Sequence, residues 1–146
     1  YYVCLAMEMA YLCRMRISEV LAAKWSYVTE EGMLVRRGKG SRDGMTLWSD
    51  RLRDAIEACR THGSVKGMTI LHGENGAKIP YDTFATAWQR LMTKAKAEGL
   101  EPFTFHDLKA KGVSDFEGDK QKASGHKTLS MVAVYDRKVP IVEPTR

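Results

Sequence analysis

The 146-residue chain has little of what usually staples or anchors a small protein. Its three cysteines, Cys4, Cys13 and Cys59, form an odd set without C-x-x-C or Cys/His spacing, so neither a disulfide framework nor a zinc site is expected. Each thiol reads as a small buried hydrophobe in a reducing, cytoplasmic setting. No run of about 18 apolar residues occurs, which excludes a membrane-spanning helix. The opening stretch contains Glu8 and lacks a basic leader, unlike a signal peptide. Phosphate-cradling G-x-x-x-x-G-K-[ST], dinucleotide-binding G-x-G-x-x-G and nucleophile-elbow G-x-S-x-G patterns are all missing. The four histidines, at 62, 72, 106 and 126, lack the i, i+4 spacing of a helical metal site, so no metal is expected.

What is present is ordinary in amount. Hydrophobic residues make up 44% and charged residues 28%, as in folded domains. The length suits one domain with a core of its own. Lys and Arg outnumber Asp and Glu by 23 to 18, a net charge of +5 that permits nucleic-acid binding without establishing it. The placement of the charge says more than its total.

Hydrophobic spacing predicts a mostly α, α+β domain. Tyr1 to Leu12 is apolar nearly all round, as in a buried helix. A chain that starts inside such a segment reads as a fragment of something longer. Ser18-Glu19 opens a second helix with Ile17, Val20, Leu21 and Trp25 on one face. The period then changes: Met33–Arg37 and Met45–Trp48 read as hairpin strands around a glycine-rich tip, residues 38–44. Asp50 is expected to cap the next helix, with Leu52, Ala55, Ile56 and Cys59 inward and Gly63 ending it. Met68–Leu71 is expected as a short third strand. Asp82 or Thr83 is expected to cap a long helix with Phe84, Trp88, Leu91, Met92 and Ala95 on its stripe, stopped by Gly99. Short helices follow near His106–Val113, Lys120–Ser124 and Thr128–Arg137, then a tail at 139–146.

The hairpin tip concentrates cations. Arg36, Arg37, Lys39 and Arg42 fall within seven residues, flanked by glycines, an arrangement that can enter a groove and meet phosphates. His106 stands three residues before Lys109, on one helix face. His126 follows Gly125, and Tyr135 comes nine residues later. Taken singly, a charged turn, a hydrogen-bonded histidine or a packed tyrosine is more often structural than functional. The order is what carries information.

Arg16-Ile17-Ser18-Glu19, a hairpin lysine, His106-Asp107-Leu108-Lys109, Gly125-His126 and Tyr135 occur in that sequence. The series resembles the catalytic domain of the tyrosine recombinases, the phage integrases in particular, from about Cys13 to Lys138. The resemblance implies that family's fold, a small antiparallel hairpin packed on helices. It implies a single catalytic domain over 1–146 that lacks the N-terminal core-binding domain. It also implies roles: Arg16 clamps phosphate with Glu19 beside it, Lys39 is the hairpin lysine, His106 opens the H-x-x-R segment, His126 is the second histidine and Tyr135 the nucleophile. Arg36, Arg37 and Arg42 are expected to bind DNA phosphates.

Two positions depart from the family pattern. Cys13-Arg14 replaces the usual Thr-Gly, which leaves Arg14 as a rival to Arg16 for the phosphate. Lys109 stands where arginine is usual, offering a point charge in place of a fork; Lys111 lies one helical position off the His106 face. These departures motivate an alternative, a DNA-binding module on the same fold with attenuated or lost cleavage. The implied chemistry is site-specific recombination through a covalent 3′-phosphotyrosine, with no metal, ATP or other cofactor. The implied partners are double-stranded DNA and further protomers, on which tail residues Val139, Ile141 and Val142 would dock. The implied place is the bacterial host cytoplasm, on DNA and away from membranes.

Overall fold

The structure is a computed structural model that describes residues 1–38, 40–62, 66–136 and 144–145. Among them seven α-helices surround one hairpin: α1 (Tyr2–Leu12), α2 (Ile17–Ala22), β1 (Gly32–Val35), β2 (Gly44–Leu47), α3 (Asp50–Thr61), α4 (Tyr81–Ala97), α5 (His106–Asp115), α6 (Lys120–Ser124) and α7 (Leu129–Tyr135). The expected mostly α, α+β class is the one observed.

The all-round apolarity of α1 has its physical reason in packing. The helix runs through the centre, against α2, α3, α4 and α5, burying Val3, Leu5, Ala6, Met9 and Ala10. Phe84 from α4 and Phe105 before α5 close the core edge to face, 5.1 Å between ring centres. A second, smaller cluster joins Ala110 and Val113 of α5 to Val132 and Tyr135 of α7. Gly112 lets α5 approach α1: a Cβ there would lie 2.4 Å from the Tyr11 carbonyl oxygen, closer than atoms can stand. The helix bearing His106 and Lys109 is therefore seated directly on the central helix.

The hairpin pairs Gly32 with Leu47 through Val35 with Gly44, antiparallel. Three expectations need correction. Met68–Leu71 forms no strand; Thr69 only bridges Lys24, because its neighbour is the short turn at 24–27, which offers no extended edge. Ser49, not Asp50, caps α3, its hydroxyl accepting from the Leu52 N–H. Helix α4 begins two or three residues earlier than a cap at Asp82 or Thr83 implies: Pro80 is its N-cap, and its fixed φ leads into a first turn without a side-chain cap. Gly63, expected to end α3, lies outside the described residues, as do Lys39 and the tail residues Val139, Ile141 and Val142.

Candidate active site

Each candidate residue is placed by local chemistry that the chain supplies nearby. Arg16 stands at the N-cap of α2 in extended backbone, and its N–H donates to the Glu19 carboxylate at 3.1 Å. The acid thus satisfies one of the helix's free N–H groups and sits against the positive helix start. The Arg16 guanidinium is 3.5 Å from Glu19 and donates to Ser41 Oγ at 3.3 Å, with 29% of its side chain still open to solvent. His106 is the first residue of α5, whose start is fixed by a reciprocal pair. The Thr104 N–H donates to Asp107 at 2.9 Å, and the Asp107 N–H to Thr104 Oγ1 at 3.3 Å. Thr128 caps α7, and Asp119 caps α6.

Tyr135, buried at the last turn of α7, is where these elements meet. Its Oη lies 2.7 Å from His106 Nε2. His126 lies against its ring, 4.6 Å between centres, and Lys109 Nζ stands 5.2 Å from the ring centre. The end of α7 is pinned from below. Ser114 Oγ donates to the Tyr135 carbonyl at 3.2 Å, and Lys120 Nζ ties the Ser114 carbonyl (3.0 Å) to Asp136 (3.1 Å). Sequence reasoning passed over Ser114 and Lys120. Nothing in their spacing marks them, since their partners lie 21 and 16 residues away.

The electrostatics follow from burial. Lys109 is wholly buried, and its ammonium donates to the Ser124 carbonyl at 3.1 Å. Desolvation, reinforced by the nearby charges of Arg37 and Arg16, pushes its pKa from 10.5 down to about 7. His126 is pushed to about 4 by burial and then by Lys109, Arg16 and Arg37, so its imidazole is neutral at pH 7. Neither ring nitrogen of this buried histidine has a hydrogen-bond partner among the described residues. An oxyanion entering here would find an unengaged imidazole beside an ammonium held in low dielectric, where each interaction counts for more than in water.

The hairpin is fastened to this cluster. Ser41 bridges His126, and the Arg42 N–H donates to the Gly125 carbonyl at 2.7 Å. Its expected phosphate-binding cations divide. Arg36 and Arg42 are exposed, Arg36 with Asp43 at 3.4 Å. Arg37 turns inward instead, with 2% of its side chain exposed, paired to Glu19 at 3.2 Å. Arg14 adopts a left-handed backbone, φ 52°, the conformation for which glycine is best suited. Its guanidinium donates to the Ala123 carbonyl and Thr46 Oγ1 at 3.2 and 3.1 Å and lies over the Phe116 ring. Lys111 pairs with Asp115 at the surface. Arg16 lies close enough to Lys109 and His126 for its charge to lower the pKa of each.

The fold, with His106, Lys109 and His126 gathered round a helix-borne tyrosine, is that of the tyrosine recombinase catalytic domain. The chain belongs to the phage integrase family, whose model matches residues 1–140. It is 29% identical to the integrase of Escherichia phage HK022 over 90% of this chain and 40% of that protein. Among solved structures it resembles a lambda integrase dimer bound to a COC′ core site, with TM-score 0.74, 25% identity, and 97% of this chain matched to 45% of that one. The lambda integrase catalytic core matches with TM-score 0.67 and 24% identity, over 86% of this chain and 84% of that one. XerA recombinase shares the fold at 17% identity and TM-score 0.70, over 94% of this chain and 58% of that one. The chain therefore spans less than half the length of the HK022 integrase.

Proposed function

We propose that this domain cuts and rejoins duplex DNA at specific sites through a covalent 3′-phosphotyrosine on Tyr135. The observation that carries this reading is the 2.7 Å contact between Tyr135 Oη and His106 Nε2, inside a cluster of cations. A phenol with a reference pKa of ~10 is a poor nucleophile at neutral pH unless a base takes its proton. His106 is that base. Tyr135 Oη attacks the phosphorus as His106 accepts the phenolic proton. The bond from phosphorus to the 5′ oxygen breaks, and Lys39 protonates the departing oxygen. Arg16, Lys109 and His126 hold the non-bridging oxygens as negative charge builds. A 5′ hydroxyl from a second strand then attacks the phosphotyrosine and reverses the sequence, so bond energy is conserved and neither ATP nor metal takes part.

Arg36 and Arg42 bind backbone phosphates at the groove. The DNA-bound dimer among the similar structures supports duplex DNA and further protomers as partners. In this reading the chain is one catalytic domain of a larger recombinase with an N-terminal core-binding domain. The tail at 139–146 docks on a neighbouring protomer, and the protein works on DNA in the bacterial cytoplasm. Lys109 favours a second reading, a DNA-binding module with attenuated cleavage, because a buried ammonium with a pKa near 7 is only partly charged at neutral pH.

One experiment separates the two. A nicked suicide substrate is incubated with the full-length protein, which is then denatured and resolved on a gel. Wild type is expected to give a protein–DNA adduct. Tyr135→Phe is expected to give none while keeping DNA affinity within about twofold. Adduct of normal yield from the phenylalanine variant would refute Tyr135 as nucleophile, and DNA binding without any wild-type adduct would establish the second reading.

A further inference from the structure

We infer that Arg37 is a positioning residue that anchors the base of the hairpin on the Arg16 turn and on the run before His126; this rests on the cleavage reading above. The guanidinium is committed on every side but one. Nη1 donates to the Arg14 carbonyl at 2.9 Å and pairs with Glu19 at 3.2 Å; Nη2 donates to the carbonyls of Cys13 at 3.3 Å and Ala123 at 3.2 Å. Nε has no partner among the described residues but is itself buried. No N–H is left to face DNA. The residue's own backbone N–H donates to Asp43 at 2.8 Å, closing the tip across the hairpin.

These contacts join the elements that carry the chemistry. Cys13 and Arg14 end the segment leading into Arg16, Glu19 is the acid at the start of α2, and Ala123 precedes His126 by three residues. Arg37 itself lies two residues before Lys39. The fit extends to Gly125, where a Cβ would lie 2.3 Å from Arg37 Cδ and Nε. Glycine beside the histidine is thus what admits the arginine. A lysine would keep the charge but not the planar fork that spans three carbonyls and a carboxylate at once. Removing one partner of a buried pair strands the other's charge, so the second variant below neutralises both.

The test uses Arg37→Lys and the charge-free double variant Arg37→Gln/Glu19→Gln, in the full-length protein. Thermal melting, DNA affinity across salt concentrations and single-turnover adduct rates at saturating DNA are measured. The substrates carry either an ordinary 5′-bridging oxygen or a 5′-bridging sulfur, which departs without a proton. At least one variant is expected to melt cooperatively, with affinity within about twofold and an unchanged salt slope. Its adduct rate on the oxygen substrate should fall roughly 30-fold, within the ~100-fold that a 1 Å misplacement can bring. On the sulfur substrate it should fall much less, because a displaced hairpin lysine then matters less.

A wild-type rate on oxygen would overturn the inference. So would equal slowing on both substrates, which would mean that the hairpin is still in place. A weaker affinity with the salt slope reduced by ~1 would make Arg37 a phosphate contact instead. Loss of cooperative melting in both variants would reduce it to a folding contact. A wild-type protein without adduct on either substrate would remove the cleavage reading, and this inference with it.

Discussion

Replacing Lys109 by methionine should make the protein more stable and inactive at once. Lys109 is 0% exposed, with its ammonium against the Ser124 carbonyl and the Tyr135 ring. Its pKa falls from 10.5 to about 7, chiefly through desolvation. At ~1.4 kcal/mol per pH unit, holding the charged form inside costs about 5 kcal/mol below pH 7. Methionine has nearly the same length and no charge, but it leaves the Ser124 carbonyl without its donor, which costs ~1–3 kcal/mol. The net gain is then ~2–4 kcal/mol below pH 7, or roughly 5–15 °C in melting temperature for a domain of this size.

The pH dependence is the sharper test. Between pH 7 and 10.5 the unfolded chain holds a proton on Lys109 that the folded chain has released, so wild-type stability rises with pH over that window. Methionine has nothing to release. The advantage of Lys109→Met should shrink steadily from pH 7 towards pH 10, measured by urea unfolding of both proteins in parallel. A methionine variant several kcal/mol less stable than wild type, or a gap that widens with pH, would show that the buried ammonium stabilises the fold and would refute the reasoning.

The same site gives a prediction for activity. Adduct formation by wild type should decline as pH rises through and above 7, since Lys109 loses its charge, with bound phosphate moving the decline upward. Lys109→Arg should remove that decline, because guanidinium stays protonated throughout, and a pH–rate profile of both proteins checks this. Gly125→Ala should destabilise by about 2 kcal/mol or more in chemical unfolding, given its φ of 75° and a Cβ 2.6 Å from the Arg42 carbonyl oxygen. Arg42→Ala should weaken binding to all DNA sequences alike and lower the salt slope by ~1, whereas a loss confined to one sequence would point to base readout.

Much of this protein could be read before any coordinates. The apolar circumference of Tyr1–Leu12 marks a central helix because only burial on all sides rewards such a pattern. The change of period at Met33 and the glycines around Lys39 mark a hairpin because local backbone preference decides both. The order of Arg16, His106, His126 and Tyr135 pointed to one family because the chemistry fixes which residue types are needed. The nine-residue step from His126 to Tyr135 survives as a short helix that stacks the two rings.

Tertiary structure decided what depends on distant partners. From charge alone Arg36, Arg37 and Arg42 were equivalent; the fold leaves Arg36 and Arg42 in solvent and buries Arg37 against Glu19, 18 residues earlier. Arg14 and Arg16 stand two apart in sequence, yet a left-handed backbone at Arg14 sends one guanidinium to Phe116 and the other to Ser41. Met68–Leu71 has the composition of a strand but makes only the single Thr69–Lys24 bridge among the described residues. The sequence named Lys109 as a cation; its pKa near 7 follows from what surrounds it, because desolvation and neighbouring charge are properties of the folded interior and not of the residue.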